Sequence, residues 1–237
     1  MKKIVKPYKK DFDYSYTSGA SVTIELLKTN PGSVESVYIH SAYTQPEKIE
    51  NICSVNRIPC ILCDSVFKRI NQKENTYVLG VFKKTKSKIA AGEPHVVLVN
   101  PADMGNLGTI IRTLAGFDIC NLGIINPAAD IWNPKTIRAS MGSIFHMNFQ
   151  HFDDIEEYLK AFPKHHKYTF MLDADLELYP GTIAKPPLFS LIFGNEATGL
   201  DGAYKDIGTA VKIPQSMLID SLNLSIAVAV GVFSFTS

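Results

Sequence analysis

The chain has 237 residues, 24 Lys and Arg against 23 Asp and Glu, and is 46% hydrophobic, which is ordinary globular material with room for two small domains. No run of eighteen apolar residues occurs without polar interruption, and the basic N-terminus lacks an apolar segment, which excludes a membrane helix and an export signal. A soluble, cytoplasmic protein is expected, and the net charge of +1 by itself says nothing about nucleic acid.

The front of the chain reads as a small α/β sandwich. Residues 21–28 are helix-like and stop at Asn30-Pro31-Gly32, and residues 34–39 are strand-like. Residues 46–55 put Ile49, Ile52 and Cys53 on one helical face; a strand over 59–63, a short helix over 65–70 and a strand over 76–82 follow. Cys60 and Cys63 form a CxxC inside a strand-like run. There is no second pair, and His40 with Cys53 is the only nearby supplement, so reduced thiols and no metal site are expected. Residues 1–94 carry 15 basic against 9 acidic side chains, and the rest of the chain 9 against 14. The basic residues gather at Lys2, Lys3, Lys6, Lys9 and Lys10 and again at Lys83, Lys84, Lys86 and Lys88. Phosphate binding is the functional reading of these clusters, and a solvated terminus and linker the plain one. The stretch KKTKSKIAAGEP, polar, basic and small, reads as that linker, giving domains over 1–84 and 95–237 with 85–94 between them.

Strands then alternate with helices, as in a mainly parallel sheet. Residues 95–99 form a buried strand, 100–105 a turn, and 106–116 a helix with Leu107, Ile110, Ile111 and Leu114 on one face and Arg112 off the other. A strand over 121–125, a helix starting at 134–139 and an acidic helix over 153–162 follow. His165-His166 reads as an exposed turn before a strand over 168–172, and Asp173, Asp175 and Glu177 as solvated loop carboxylates. Residues 188–193 are a buried strand opening into Gly194-Asn195-Glu196-Ala197-Thr198-Gly199, where two glycines let the main chain approach a ligand. A last strand over 210–213 stops at Pro214, and Ser221 reads as the N-cap of a long apolar helix. Ligands of such sheets sit at the carboxyl ends of the strands, where all three of these loops fall. GxGxxG is absent, which argues against a dinucleotide site.

Those three stretches, in this order and spacing, resemble motifs 1, 2 and 3 of the SpoU/TrmH branch of the SPOUT RNA methyltransferases. Asn106-Leu107-Gly108 with Arg112 matches the first, Gly194-Asn195-Glu196 with Gly199-Leu200 the second, and Ile213-Pro214 with Ser221-Leu222-Asn223 the third. The stretch from Arg138 to Ser143 is similar to the family's RxSxG. The turn before Asn106 is longer than usual in the family, and Ala197 stands where glycine is common. The resemblance implies an α/β fold whose C-terminal, mainly parallel sheet is threaded as a trefoil knot. It implies S-adenosylmethionine (SAM) as cofactor, held at Phe193, Gly194, Ile213, Pro214 and Leu222. The acceptor would be an RNA ribose 2′-hydroxyl, on ribosomal more than on transfer RNA, with Arg112, Asn106, Glu196, Ser221 and Asn223 as the catalytic set and a homodimer as the assembly. Asn106 and Ser221 also admit a plain reading as helix caps, and Glu196 as a loop brace. The order of elements in the front segment resembles an L30e-like substrate-binding domain. A non-catalytic RNA-binding or assembly protein of the same fold is the alternative from another class; transfer RNA or a base nitrogen is the alternative acceptor.

Overall fold

A computed structural model of the protein describes residues 5–70, 76–179, 181, 183 and 185–236; Lys2 and Lys3 lie outside them. The chain divides into two compact units, one of residues up to Thr85 together with Asp130–His146, the other of Lys86–Ala129 and Met147–Ser237. Among the described residues no helix is long and apolar enough to cross a membrane.

The first unit is a four-stranded sheet in the order β1-β4-β2-β3, formed by β1 (Tyr14–Ser18), β2 (Val34–Ile39), β3 (Cys60–Leu62) and β4 (Val78–Lys83). Only β2 and β3 are parallel. Helices α1 (Ala20–Thr29) and α2 (Glu47–Val55) contribute to a core of Leu27, Ile49, Cys53, Val37 and Ile39. A second core holds Tyr14, Tyr16, Tyr38, Leu79 and Val81 with Val66 and Phe67 of α3 (Asp64–Arg69). Residues 130–146, expected in the second domain, complete this unit. Their helix α5 (Pro134–Ala139) has Asn133 as cap and Pro134 at its first position, a helix start that needs no earlier turn. Trp132 and Phe145 meet the ring of Phe82 edge-on at 5.8 and 5.3 Å, the Tyr8 hydroxyl donates to Asp130, and His146 lies 2.8 Å from Glu25. Lys84 is not a freely solvated cation: its Nζ donates to the Lys10 carbonyl at 2.8 Å and lies 4.8 Å over the Tyr8 ring.

The second unit is a seven-stranded, all-parallel sheet in the order β7-β6-β5-β10-β8-β11-β9. Its strands are β5 (His95–Val99), β6 (Asn121–Ile125), β7 (Asn148–Phe152), β8 (His166–Phe170), β9 (Leu176–Glu177), β10 (Phe189–Phe193) and β11 (Thr209–Lys212). The central strands β5, β6 and β10 are buried at every residue, which is why they read as unbroken apolar runs. On one face α7 (Leu224–Thr236) packs with α4 (Met104–Gly116) and sets Phe235 against Tyr168 and Phe189. On the other, α6 (Ile155–Ala161) sends Tyr158 into a core with Val97, Ile192 and Phe152, joined by Phe162 just beyond the helix.

Two expectations are corrected at the amino ends of these strands. His165 is buried at 4% exposure rather than in an open turn, because it packs 4.2 Å from the His95 ring and bonds Ser190 and the Ala91 carbonyl. Residues 86–94 are pinned down rather than free: Ile89 is buried, Ser87 exchanges hydrogen bonds with Phe149, and Asn121 takes the Ala90 amide at 2.8 Å.

Candidate active site

Three loops meet beyond the carboxyl ends of β5, β10 and β11. The first is the turn from Asn100 to Asp103. Asn100 adopts φ 51, a left-handed conformation that asparagine tolerates when its side chain bonds locally, and its Nδ2 faces the carbonyls of Ile125 and Pro127 at 3.5 and 3.4 Å. Asp103 then starts α4, its Oδ1 accepting from the Asn106 amide at 2.8 Å. The cap is thus Asp103, and the Asn106 side chain is left for other partners.

The second loop, residues 194–200, is folded so tightly that glycine is required at its start. A Cβ added to Gly194 would lie 2.1 Å from the Gly199 carbonyl carbon. Asn195 and Gly199 bond each other's main chain at 2.9 and 3.3 Å, and Gly199 takes φ 67. This bend turns Glu196 toward the first loop. Its two oxygens accept from the amides of Ala102 (3.0 Å) and Asp103 (3.1 Å) and from Asn106 Nδ2 (3.4 Å). Partial burial opposes ionisation of Glu196, but the donors around it outweigh that cost and hold its carboxyl below the usual range.

The third loop, residues 213–223, ends at α7. That helix begins at Leu224, not at Ser221: Asn223 is the cap, its Oδ1 taking the amide and hydroxyl of Ser225 at 2.9 and 2.7 Å. Ser221 lies two residues ahead of the cap, exposed. Asn223 Nδ2 in turn donates to Asn106 Oδ1 at 3.1 Å. Glu196, Asn106 and Asn223, drawn from three separate parts of the sequence, therefore form one hydrogen-bonded chain.

That chain borders a cavity of ≈ 200 Å³ lined by Phe193, Gly194, Glu196, Ile213, Ser221 and Leu222, with Phe170, Gln215, Leu224 and Ala227 completing the wall. The Phe170 and Phe193 rings stack at 4.1 Å and form an apolar floor. Of the five residues expected to hold a cofactor, four line this cavity; Pro214 lines an adjoining hollow that shares Ile213 and Gln215 with it. Tight main-chain loops over stacked aromatic rings suit a flat heterocycle, and the Gln215 and Ser221 side chains offer polar contacts at the wall.

Arg112 is not gathered into this set. It is exposed, and among the described residues its side chain has no hydrogen bond or ion pair. Six residues beyond Asn106 along α4, it sits ~9 Å further along the axis and about 120° around it. Sequence reasoning missed Asp103 and Asn223 as caps, although Asp and Asn just ahead of apolar helical patterns are the usual signal. Phe170 and Ala227 carried no local signal, because each reaches the cavity from an element read only as core.

The geometry can be set beside known proteins. Residues 93–233 match the SpoU rRNA Methylase family. Over 224 residues the chain is 28% identical to the 23S rRNA (guanosine(2553)-2'-O)-methyltransferase RlmP of Bacillus subtilis, spanning 91% of this chain and 85% of that protein. The AdoMet-bound rRNA methyltransferase from Sinorhizobium meliloti superposes with a TM-score of 0.78 at 25% identity, over 94% of this chain and 86% of that one. The SpoU methyltransferase AviRb from Streptomyces viridochromogenes, in complex with AdoMet, shares the fold with a TM-score of 0.81 at 17% identity, over 94% and 89% of the two chains. With the three motif loops hydrogen-bonded to one another beside this cavity and the family match spanning more than half its length, the chain belongs to the SpoU rRNA Methylase family.

Proposed function

We infer that this chain transfers a methyl group from SAM to a ribose 2′-hydroxyl of ribosomal RNA. The observation that carries the reading is the Glu196–Asn106–Asn223 hydrogen-bonded chain at the rim of a cavity lined by Phe193, Gly194, Ile213 and Leu222. The likeness to a 23S rRNA 2'-O-methyltransferase over 91% of the chain supports ribosomal RNA as the substrate.

SAM, when bound, supplies an electrophilic methyl group; the protein has to place the hydroxyl behind it, exclude water and stabilise the oxygen as its proton leaves. Glu196 is not the base, since its oxygens are occupied by Ala102, Asp103 and Asn106. It braces the turn. Asn106 and Asn223 orient each other, and each keeps one amide N–H with no partner among the described residues. These are donors, suited to a developing alkoxide. Arg112 is exposed and carries a planar fork of N–H donors, so it serves by gripping a phosphate next to the target ribose.

Arg112 acts from one copy of a homodimer whose interface includes the exposed apolar side chains of α7 and the end of α4. Ile226 is 51% exposed, Phe233 56% and Phe117 36%, which supports that face. The first unit is an L30e-like RNA-binding domain, supported by the excess of 15 basic over 9 acidic residues in positions 1–94. The second sheet is threaded as a trefoil, supported by the insertion of β10 and β11 on either side of β8. A cytoplasmic location goes with this reading, supported by the likeness to a bacterial 23S rRNA methyltransferase.

The test is incubation with labelled SAM and unmodified 23S rRNA transcribed in vitro, followed by mapping of the modified nucleotide. A single 2′-O-methyl ribose is expected. Arg112→Ala should lower turnover about 100-fold with SAM affinity unchanged, as loss of a transition-state contact requires. Absence of SAM binding by calorimetry would sink the reading.

A further inference from the structure

Asn195 has both ends of its amide engaged, and in two different loops. Its Oδ1 accepts from the Ala197 amide at 2.8 Å and from that of Thr198 at 3.4 Å, which shapes the 194–200 loop from within. Its Nδ2 leaves the loop and donates to the Asn100 carbonyl at 2.7 Å, at the left-handed residue where the 100–103 turn begins. The next residue, Glu196, bonds the amides of Ala102 and Asp103 in the same turn. Two consecutive side chains therefore fasten both edges of one four-residue turn, and that turn is what delivers Asp103, the cap of α4, and Asn106.

We propose that Asn195 is a positioning residue for methyl transfer: it joins the loop that lines the cofactor cavity to the turn that presents Asn106, so that the two sides of the reaction are held as one body. The proposal rests on the methyltransferase reading above. Asn195 lies on the cavity wall, and its two amide atoms serve different loops: Oδ1 shapes the 194–200 loop that lines the cavity, and Nδ2 holds the turn on the acceptor side.

That separation makes the residue testable. Asn195→Asp keeps Oδ1 for Ala197 and Thr198 but replaces the donor with a second acceptor oxygen facing the Asn100 carbonyl. The joint opens while the loop keeps its shape. Asn195→Ala removes both functions. With Asn195→Asp, SAM affinity by calorimetry is expected to stay within about threefold of wild type, while single-turnover transfer to unmodified 23S rRNA falls about 30-fold. Amide exchange should quicken at residues 102 and 103 and stay as in wild type at 197 and 198. With Asn195→Ala, both amide segments should quicken, and SAM affinity should fall about tenfold. Equal losses of affinity and rate in both variants, with exchange altered only at 197 and 198, would show that Asn195 merely shapes its own loop and would overturn the proposal. Wild-type transfer by Asn195→Asp would overturn it as well. If the wild-type protein neither binds SAM nor methylates RNA, the methyltransferase reading falls and takes this inference with it; binding and transfer by wild type with no split between the variants sinks the inference alone.

Discussion

The two ends of the large sheet use polar residues in opposite ways. At the amino ends, His95, Tyr158, Ser190 and His165 are all buried and bonded to one another: Tyr158 Oη lies 2.9 Å from His95 Nδ1 and 2.6 Å from Ser190 Oγ, and His165 Nδ1 lies 3.1 Å from Ser190 Oγ. The remaining ring nitrogens face the Ala90 and Ala91 carbonyls at 2.9 and 3.1 Å and hold residues 86–94 in place. At the carboxyl ends, Glu196, Asn106, Asn223 and Asn195 are only partly covered or exposed and bond mainly to turns and helix caps, and Asn106 and Asn223 each keep one amide N–H without a partner among the described residues. A closed network spends its hydrogen bonds on stability. An open one holds its loops still and keeps some donors in reserve, which is the arrangement that binding and chemistry need.

Four experiments sharpen that contrast. The largest effect is expected at the open end from Gly194→Ala, whose methyl group would meet the main chain of Gly199 at 2.1 Å. No rotamer relieves that clash, so SAM affinity and methyl transfer should fall at least ~100-fold, read by calorimetry and a labelled-methyl assay.

The closed end should respond to pH instead. Burial pushes the His95 imidazole down from 6.5 to about 4, against the opposing pull of the Ala90 carbonyl and with the neighbouring His165 adding to the fall. The unfolded chain takes up that proton below 6.5 and the folded chain only near 4, so the contribution is whole above pH 6.5 and is lost as pH drops toward 4. Urea unfolding between pH 7 and 4 should show about 3 kcal/mol of loss from this group, and His95→Gln should flatten that part of the profile.

A smaller effect is expected from Gly231→Ala on α7, whose Cβ would meet Phe193 Cζ at 2.8 Å and Phe170 Cζ at 2.9 Å. Helix propensity favours alanine by ~1 kcal/mol and overpacking costs about 1 to 3, so stability should change little. The displaced rings form the cavity floor, however, and SAM affinity should drop about tenfold, as overpacking of that size predicts. The smallest is Asn223→Ala, which removes the cap of α7 and should cost about 1 kcal/mol in thermal unfolding, with a further loss of turnover through Asn106. If Asn223→Ala lowered stability without touching turnover, its bond to Asn106 would be structural only.

The sequence made the large sheet legible because its central strands are buried on both faces and so appear as apolar runs; His95 to Val99 and Phe189 to Phe193 needed no other signal. It was less informative about β1 and β7, for opposite reasons. Tyr14–Ser18 buries tyrosine, serine and threonine, which read as polar, and Asn148–Phe152 is an edge strand with only two buried residues. The motif residues were legible by resemblance, and the cavity does gather Phe193, Gly194, Glu196, Ile213, Ser221 and Leu222. Sequence could not tell which polar residue does which task. Ser221 and Asn223 are both good caps by type, and only the bonds of Ser225 to Asn223 decide between them. Similarly, the two histidines before β8 read as a turn, because nothing local shows that one of them meets His95 seventy residues earlier.

The packing of residues 130–146 into the first unit bears on the order in which the chain can fold during synthesis. The polypeptide passes between the two units three times, after Thr85, after Ala129 and after His146. The rings of Trp132 and Phe145 that cover Phe82, and the Asp130 carboxylate that receives the Tyr8 hydroxyl, come from beyond the first strands of the other sheet. The N-terminal unit therefore cannot finish as its own last strand emerges, as a simple tandem domain would. It has to wait until β5, α4 and β6 have been made, and a fragment cut at the apparent linker would leave one half without its cover and the other with exposed tryptophan and phenylalanine.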